Sequence, residues 1–218
     1  MRDQKTIEFM SRALVASTGE FEVLEELDYE DIPWDRVPKL KEFMYGDDAY
    51  ASIRCANVLT CWCDEDAFNF LERYVCDKDL SNELVFPHRL RGYDDTCTQI
   101  LDSFISYWAR KSSPDWSQNP ANDSPEARKK ILRPVLRIIG LSNKLPFEIS
   151  GLFWLVERKG FTEYIPALKS HLEAILKNPE FHHWKVGDCA HLLMKFDPEF
   201  VTQALAKHGK KIADYPIK

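Results

Sequence analysis

The chain has 218 residues, of which 44% are hydrophobic and 29% are charged, close to the proportions of an ordinary folded protein. Its formal net charge of −6 is unevenly distributed, since residues 1–110 carry 23 acids and 12 bases whereas residues 111–218 carry 12 acids and 17 bases. Nonspecific binding to nucleic acid or anionic lipid needs a concentrated positive field, so the acidic half argues against both and favours a basic partner.

Six cysteines are present, without the dense spacing of a secreted disulfide scaffold, so reduced thiols are expected. No apolar run approaches the roughly 18 residues that a transmembrane helix needs. Asp3, Lys5 and Glu8 interrupt the N-terminus, where a signal peptide would be apolar. We therefore predict a cytoplasmic protein with no membrane segment.

The first predicted element is an amphipathic capping helix at residues 4–18, because Ile7, Met10 and Leu14 recur on one face. An acidic stretch without a base follows: Glu20, Glu22, Glu25, Glu26, Asp28, Glu30, Asp31 and Asp35. Two interpretations of this stretch stay open. It is either the solvated outer face of a short helix or a docking surface for a basic partner.

A two-helix unit occupies residues 34–76, with its helices predicted at about 33–45 and 48–63. At 100° per residue, the apolar residues of the second helix cover two sides, which predicts two neighbouring elements in a stacked array. The strip left between these sides holds Asp47, Tyr50, Arg54, Asn57 and Cys61. Arg54 either faces a partner or forms an internal salt bridge with Asp48.

Later helices are predicted from Asp64, from Asp94 and Asp95 through Trp108, and at residues 126–140, 146–159, 161–177, 184–196 and 198–207. On the 184–196 helix, Val186, Ala190, Leu193 and Phe196 are expected to point inwards. Pro114, Pro120 and Pro125 mark a loop near residues 111–125. Without an alternating strand pattern, the fold is predicted to be all-α, as a single domain over residues 1–218 whose two halves this loop separates.

The two-helix unit resembles the HEAT repeat of α-solenoids in these residues: Pro38, Leu40, Asp48, Ile53, Arg54, Ala56 and Leu59. A second unit is similar at Pro166, Leu168, Ala190 and Leu193, although Asp188 stands where Arg54 does, which weakens the acid–arginine ladder of the family there. The resemblance implies a right-handed α-solenoid of degenerate HEAT-like helical hairpins. In size, charge, aromatic content and repeat decay, the chain also resembles immunity proteins of bacterial contact-dependent or polymorphic toxin systems.

Motifs that carry chemistry are weak in this sequence. Neither a G-x-G-x-x-G nor a G-K-[ST] loop occurs, and the histidines lack an H-E-x-x-H arrangement. Cys61 and Cys63 would point about 200° apart on a helix, so they could not share a zinc ion without breaking it. We expect no catalytic residue, no metal, no cofactor and no enzymatic activity.

A basic patch lies on the predicted 126–140 helix, at Lys129, Lys130, Arg133 and Arg137. It could hold phosphate, as in the HEAT-like DNA glycosylases of alkylation repair. Alternatively, it is a solvated face or it pairs with the acidic half.

The leading hypothesis is an immunity protein that binds and neutralises a cognate, nucleolytic toxin in the bacterial cytoplasm and binds neither nucleic acid nor membrane. The residues predicted to face the partner are Glu26, Glu30, Asp31, Trp34, Asp35, Asp47, Tyr50, Arg54 and Asn57. The alternatives are a HEAT-like DNA glycosylase and a general protein-binding scaffold.

Overall fold

The computed structural model describes residues 24–80, 85–87, 93–113 and 123–216. Within these ranges the chain forms nine α-helices and no β-strand, and one isolated bridge joins Pro87 to Asp94. The helices are α1 (Val37–Met44), α2 (Ala49–Cys61), α3 (Glu65–Asp77), α4 (Thr96–Ser112), α5 (Pro125–Ser142), α6 (Gly151–Lys159), α7 (Ile165–Ile175), α8 (His183–Met194) and α9 (Pro198–Lys207). The predicted all-α class is confirmed. The predicted capping helix at 4–18 lies outside the described residues.

Side-chain caps explain why several helices begin where the sequence predicts. Asp48 accepts a hydrogen bond from the Ala51 amide at 2.9 Å, and Asp64 accepts one from the Ala67 amide at 3.0 Å. Ser124 and Asp197 cap α5 and α9 in the same way. Each cap satisfies one of the first amides of its helix, which have no partner within the helix, and contributes about 1 kcal/mol.

Some predicted bounds need correction. The helix predicted at 33–45 is divided, because a 3₁₀ turn at Trp34–Arg36 precedes α1. Phe196, predicted to point inwards, is 38% exposed, because α8 ends at Met194 and the chain turns there. Most of the predicted loop, residues 114–122, lies outside the described residues, while α4 continues to Ser112.

The helices pack mainly on their neighbours in the chain. Each of α1, α2 and α3 contacts the helix that follows it, and so do α4, α7 and α8. Contacts between next-but-one helices join α2 to α4 and α4 to α6 in one series, and α3 to α5 and α5 to α7 in another. A single hydrophobic core runs through the described residues from Leu24 to Tyr215.

The most deeply packed of these elements is α2, in which ten of thirteen residues are buried. It contacts α1, α3, α4 and the 3₁₀ turn at Leu24–Glu26. The prediction of two neighbours, made from two apolar sides, was therefore wrong. Polar as well as apolar contacts cover this helix, and an apolar pattern does not reveal the polar ones.

Arg128 joins the start of α5 to the connection between α6 and α7. Its guanidinium donates to both carboxylate oxygens of Glu163 at 2.7 Å, to Asp123 at 2.8 Å and to the Gly160 carbonyl at 2.8 Å. The same group lies 4.0 Å from the centre of the Phe161 ring. A planar fork with several donors can make all of these contacts together.

Replacing Arg128 with lysine should therefore lower the free energy of unfolding by about 1–2 kcal/mol, although the charge is kept. Urea denaturation measures this loss. The matched control is Lys129→Ala at the exposed neighbouring position, which should change the value by less than about 0.5 kcal/mol. Equal effects of the two substitutions would contradict a specific role for the fork.

Candidate functional site

The acidic stretch is built from short turns in its described part. We call residues 24–36 the acidic segment; it contains 3₁₀ turns at Leu24–Glu26, Tyr29–Asp31 and Trp34–Arg36. For residues 24–36 the interpretation as one face of a short helix is wrong, since the backbone is extended between the turns, at Asp28 and at Ile32. Glu20 and Glu22 lie outside the described residues. The extended conformation at Ile32 follows from Pro33, because proline disfavours helical geometry in the residue before it.

Two hydrogen bonds fasten the backbone of the acidic segment to the helices beneath it. The indole N–H of Trp62, at the end of α2, donates to the Leu24 carbonyl at 2.7 Å. Arg110, near the end of α4, donates to the Leu27 carbonyl, also at 2.7 Å. Since Leu24 and Ile32 are buried as well, the segment is fixed with most of its carboxylates outwards.

Arg54 forms a third connection, an ion pair with Glu25 in which the two terminal guanidinium nitrogens, Nη1 and Nη2, each contact one carboxylate oxygen. Arg54 therefore forms an internal salt bridge, as one of the two interpretations states. Its partner is Glu25 and not the predicted Asp48. The carboxylate of Asp48 caps α2 instead. Arg54 and Glu25 are both partly buried, so this pair belongs to the fold as well as to the surface around it.

Five carboxylates of the acidic segment are exposed and have no ion pair with any other described residue: Glu26, Asp28, Glu30, Asp31 and Asp35. Among them lie the exposed rings of Tyr29 and Trp34, with centroids 5.3 Å apart. We call these seven residues the acidic–aromatic surface. Exposed aromatic rings amid charge are typical of interaction sites, because they combine contact area with a polar edge.

Beside the segment lies a cleft of about 830 Å³ between α2 and α4, called here the α2–α4 cleft. It is lined by Glu25, Glu26, Asp28, Tyr50, Arg54, Asn57, Cys61, Phe86, Gln99, Asp102, Ser103 and Ser106. Four residues of the predicted strip, Tyr50, Arg54, Asn57 and Cys61, thus face one cavity together. Asp47 does not line it and lies exposed before α2. Of the acidic residues predicted to face a partner, only Glu26 reaches this cleft.

Asn57 is more deeply placed than a surface contact residue. Its side chain is only 2% exposed, and neither its amide oxygen nor its amide nitrogen has a hydrogen-bond partner among the described residues. Cys61 on the same strip is also buried. The expectation of an open strip from Asp47 to Cys61 is therefore wrong in its second half, because the acidic segment and α4 enclose that part.

Asp102 of α4 lines the cleft, and sequence reasoning missed it. Partial removal of water from the carboxylate, together with the charge of the nearby Asp95, raises the pKa of Asp102 to about 6. Its side chain is nevertheless open to water, which screens this effect. Gly151, the first residue of α6, leaves room for it, since a Cβ there would lie 2.9 Å from the carboxylate. The sequence does indicate a polar face on α4, because polar residues recur at helical spacing between apolar positions: Gln99, Asp102, Ser103 and Ser106.

A second cleft of about 830 Å³ is lined partly by α8, where Trp184, Asp188, His191 and Lys195 form the polar strip that helical spacing predicts. Charged groups here contact one another, since Lys195 pairs with Glu157 at 2.7 Å. The His191 ring contacts the Tyr215 carbonyl. Several polar groups that line this cleft are therefore already bound to other groups of the protein.

Cys61 and Cys63 lack the features of a reactive site. Burial raises the pKa of Cys61 to about 12 and that of Cys63 to about 11, so both thiols stay protonated near neutral pH. The helix ends at Cys61, and Cys63 lies beyond it with a left-handed backbone (φ 65°), so the two do not share a helix as expected. In the described ranges, no group of three or more His, Cys, Asp or Glu side chains is arranged to hold a metal ion.

The basic patch on α5 pairs with the acidic half of the chain. Lys130 forms an ion pair with Glu65, and Arg133 contacts Glu72 at 3.4 Å. Arg137 donates to the Val75 carbonyl at 3.2 Å. Of the interpretations left open for this patch, pairing is thus confirmed for Lys130 and Arg133.

Comparison of the chain with known protein families, with curated proteins and with solved structures finds no match in any of the three. None of the helices in the described part of the chain is both long and apolar enough to span a membrane. The function must therefore be argued from the acidic–aromatic surface and the α2–α4 cleft themselves.

Proposed function

We propose that this protein is an immunity protein, which binds and neutralises a basic, nucleolytic toxin in the bacterial cytoplasm. The observation that carries the proposal is the set of five exposed carboxylates on the acidic segment, which have no ion pair within the described residues. They surround the exposed rings of Tyr29 and Trp34. Charge and aromatic contact area therefore occur together on a segment that the fold holds in place.

The exposed carboxylates would raise both the affinity for a basic partner and the rate of association with it. A nuclease needs a basic cleft to hold its phosphate substrate, so a fixed acidic surface of opposite sign attracts it and can cover that cleft. Because the acidic segment is fastened to α2 and α4, binding does not have to order it first. A surface that is already ordered loses less conformational entropy on association.

For the architecture, we propose a right-handed α-solenoid of degenerate HEAT-like hairpins. The contacts support it, since next-but-one helices form two series, α2–α4–α6 and α3–α5–α7. Stacked hairpins present one surface built from successive units, which suits recognition of a large partner.

The proposal assigns the protein no catalytic residue, metal or cofactor. A DNA glycosylase would need a basic surface available to phosphate. On α5, Lys130 and Arg133 are engaged by Glu65 and Glu72 instead. A general scaffold makes no demand on the nature of the partner, so only the identity of the partner separates it from an immunity protein.

If the proposal is right, we expect a toxin-like gene beside the gene for this chain, and the test uses its product, purified in a catalytically inactive form. We expect a stable complex, and Asp31→Lys with Asp35→Lys should slow its association about tenfold at low salt, because both charges lie on the steering surface. Stopped-flow mixing at two salt concentrations measures this rate. The matched control is Glu173→Lys with Glu199→Lys, which makes the same charge change on exposed positions of α7 and α9.

Equal slowing by the two double variants would show that net charge, rather than the acidic segment, controls association. Retention of labelled duplex DNA by the wild-type protein would favour the glycosylase. Absence of any complex with the toxin would contradict the proposed function.

A further inference from the structure

The α2–α4 cleft has features of a binding site that the acidic–aromatic surface lacks, namely depth and a buried amide that has no hydrogen-bond partner in the described part of the chain. We propose that this cleft receives the guanidinium group of an arginine side chain that the basic partner presents. The inference rests on the proposed function, since it names the chemical group by which that partner is recognised.

The Asn57 amide is the feature of the cleft that indicates a ligand most directly. A buried amide with neither donor nor acceptor satisfied destabilises the folded protein, so its presence beside a cleft calls for a ligand. Its oxygen can accept a hydrogen bond from a guanidinium N–H, and its nitrogen can donate one to a carbonyl of the same partner. Asn57 is held in place by the burial of α2 around it.

The residues that line the cleft carry an excess of negative charge. Glu25, Glu26, Asp28 and Asp102 contribute four carboxylates, against a single guanidinium from Arg54. Glu25 already binds the Arg54 guanidinium with both oxygens, so this wall has the geometry that such a group requires. The other three carboxylates have no ion pair among the described residues, and a cation entering the cleft would meet an excess of negative charge.

The aromatic rings at the cleft favour arginine over lysine. The aromatic rings of Tyr50 and Phe86 lie at the cleft with centroids 4.8 Å apart. A planar guanidinium can stack on such rings while its five N–H groups reach several acceptors, whereas an ammonium is a strongly hydrated point charge with three donors. Dispersed acceptors beside aromatic rings therefore favour arginine.

The size of the cleft favours a protein partner over a small cation. A cavity of about 830 Å³ is much larger than one guanidinium group. An arginine that extends from a protein surface brings neighbouring residues that fill the remaining space and exclude water. This agrees with a protein partner better than with a small free cation.

The direct test is an NMR titration of the ¹⁵N-labelled full-length chain with N-acetyl-L-arginine amide, and with N-acetyl-L-lysine amide as the matched probe. The arginine probe should shift the Asn57 side-chain amide signals and the Asp102 backbone signal. It should bind about threefold to fivefold more tightly than the lysine probe, because stacking favours the guanidinium. Equal binding of both probes, or no shift at Asn57, would overturn the inference.

Two variants locate the site. Asn57→Leu keeps the size of the side chain but removes both polar atoms, so binding of the arginine probe should weaken about tenfold. The same variant should melt at or above the wild-type temperature, since it removes an unsatisfied buried amide. Asp102→Asn, at an exposed position, should also weaken binding without affecting folding. Asn69→Leu on the exposed face of α3 is the control and should bind as the wild type does.

The inference and the proposed function can fail separately. If Asp31→Lys with Asp35→Lys slows association with the toxin while Asn57→Leu binds both toxin and arginine probe normally, the function stands and the cleft assignment falls. If the arginine probe binds at Asn57 but no basic toxin binds the protein, the cleft assignment stands and the function falls.

Discussion

Replacing Trp62 with alanine is expected to lower the free energy of unfolding by about 3–5 kcal/mol. The side chain is 1% exposed at the end of α2, so its removal leaves a large cavity in the core. The substitution also removes the donor to the Leu24 carbonyl, a buried hydrogen bond of 2.7 Å. Urea denaturation at pH 7 measures the total loss.

Trp62→Phe separates the hydrogen bond from the volume. Phenylalanine keeps much of the apolar contact but leaves the Leu24 carbonyl without its donor, which should cost about 1–3 kcal/mol. Because that bond fastens the acidic segment, limited proteolysis should cut near residues 24–36 sooner in Trp62→Phe than in the wild type. Trp154→Phe, at a residue that is 47% exposed, is the control. Equal loss of stability in the two phenylalanine variants would show that the bond to Leu24 contributes nothing measurable.

The parts of the fold that the sequence predicts best are those that depend on local contacts. Asp48 and Asp64 cap helices three residues ahead of the amides they bind, so their roles follow from spacing alone. Helical spacing likewise placed Tyr50, Arg54 and Asn57 on one side of α2, where they line one cleft. Within a single helix, the angular position of a residue is fixed by its number.

The enclosure of that side could not be predicted in the same way. Glu25 and Arg54 are 29 positions apart, and Leu27 and Arg110 are 83 apart. No local periodicity specifies such contacts, because they depend on where the acidic segment crosses the helices. Asn57 was therefore predicted as an open contact residue, although the fold buries it. The role of Asp102 could not be predicted either, because α4 comes to lie beside the polar side of α2 only in the folded chain.

The charge imbalance between the halves has two different outcomes in the structure. The acids of α3 are partly neutralised within the protein, since Glu65 and Glu72 pair with bases of α5. The exposed acids of the acidic segment have no such pairing in the described ranges. A difference in net charge between two halves therefore overstates what a partner meets. Among the described residues, exposed acids without an internal ion pair cluster at residues 26–35, next to the α2–α4 cleft.

Stability should also fall as the pH is lowered, and His171 should be a main cause. This histidine on α7 is fully buried, with Nδ1 at 2.6 Å from the Asn143 side-chain oxygen and no hydrogen-bond partner for Nε2 within the described ranges. Burial lowers the pKa of His171 to about 3, and the charges of Lys185 and His182 act in the same direction. The folded protein therefore keeps this ring neutral at a pH where an unfolded chain, with a pKa near 6.5, takes up a proton.

The direction follows from the proton balance. Well above pH 6.5 the ring is neutral in both states and contributes no pH dependence. Between pH 7 and pH 5 the unfolded state gains a proton that the folded state does not, which should remove about 2 kcal/mol from the free energy of unfolding. Urea denaturation at both pH values, compared with His171→Gln, isolates this contribution, because glutamine can keep a bond to Asn143 but does not titrate. His183→Gln, at an exposed position, should retain the wild-type pH dependence. If His171→Gln loses as much stability in acid as the wild type does, another group causes the loss.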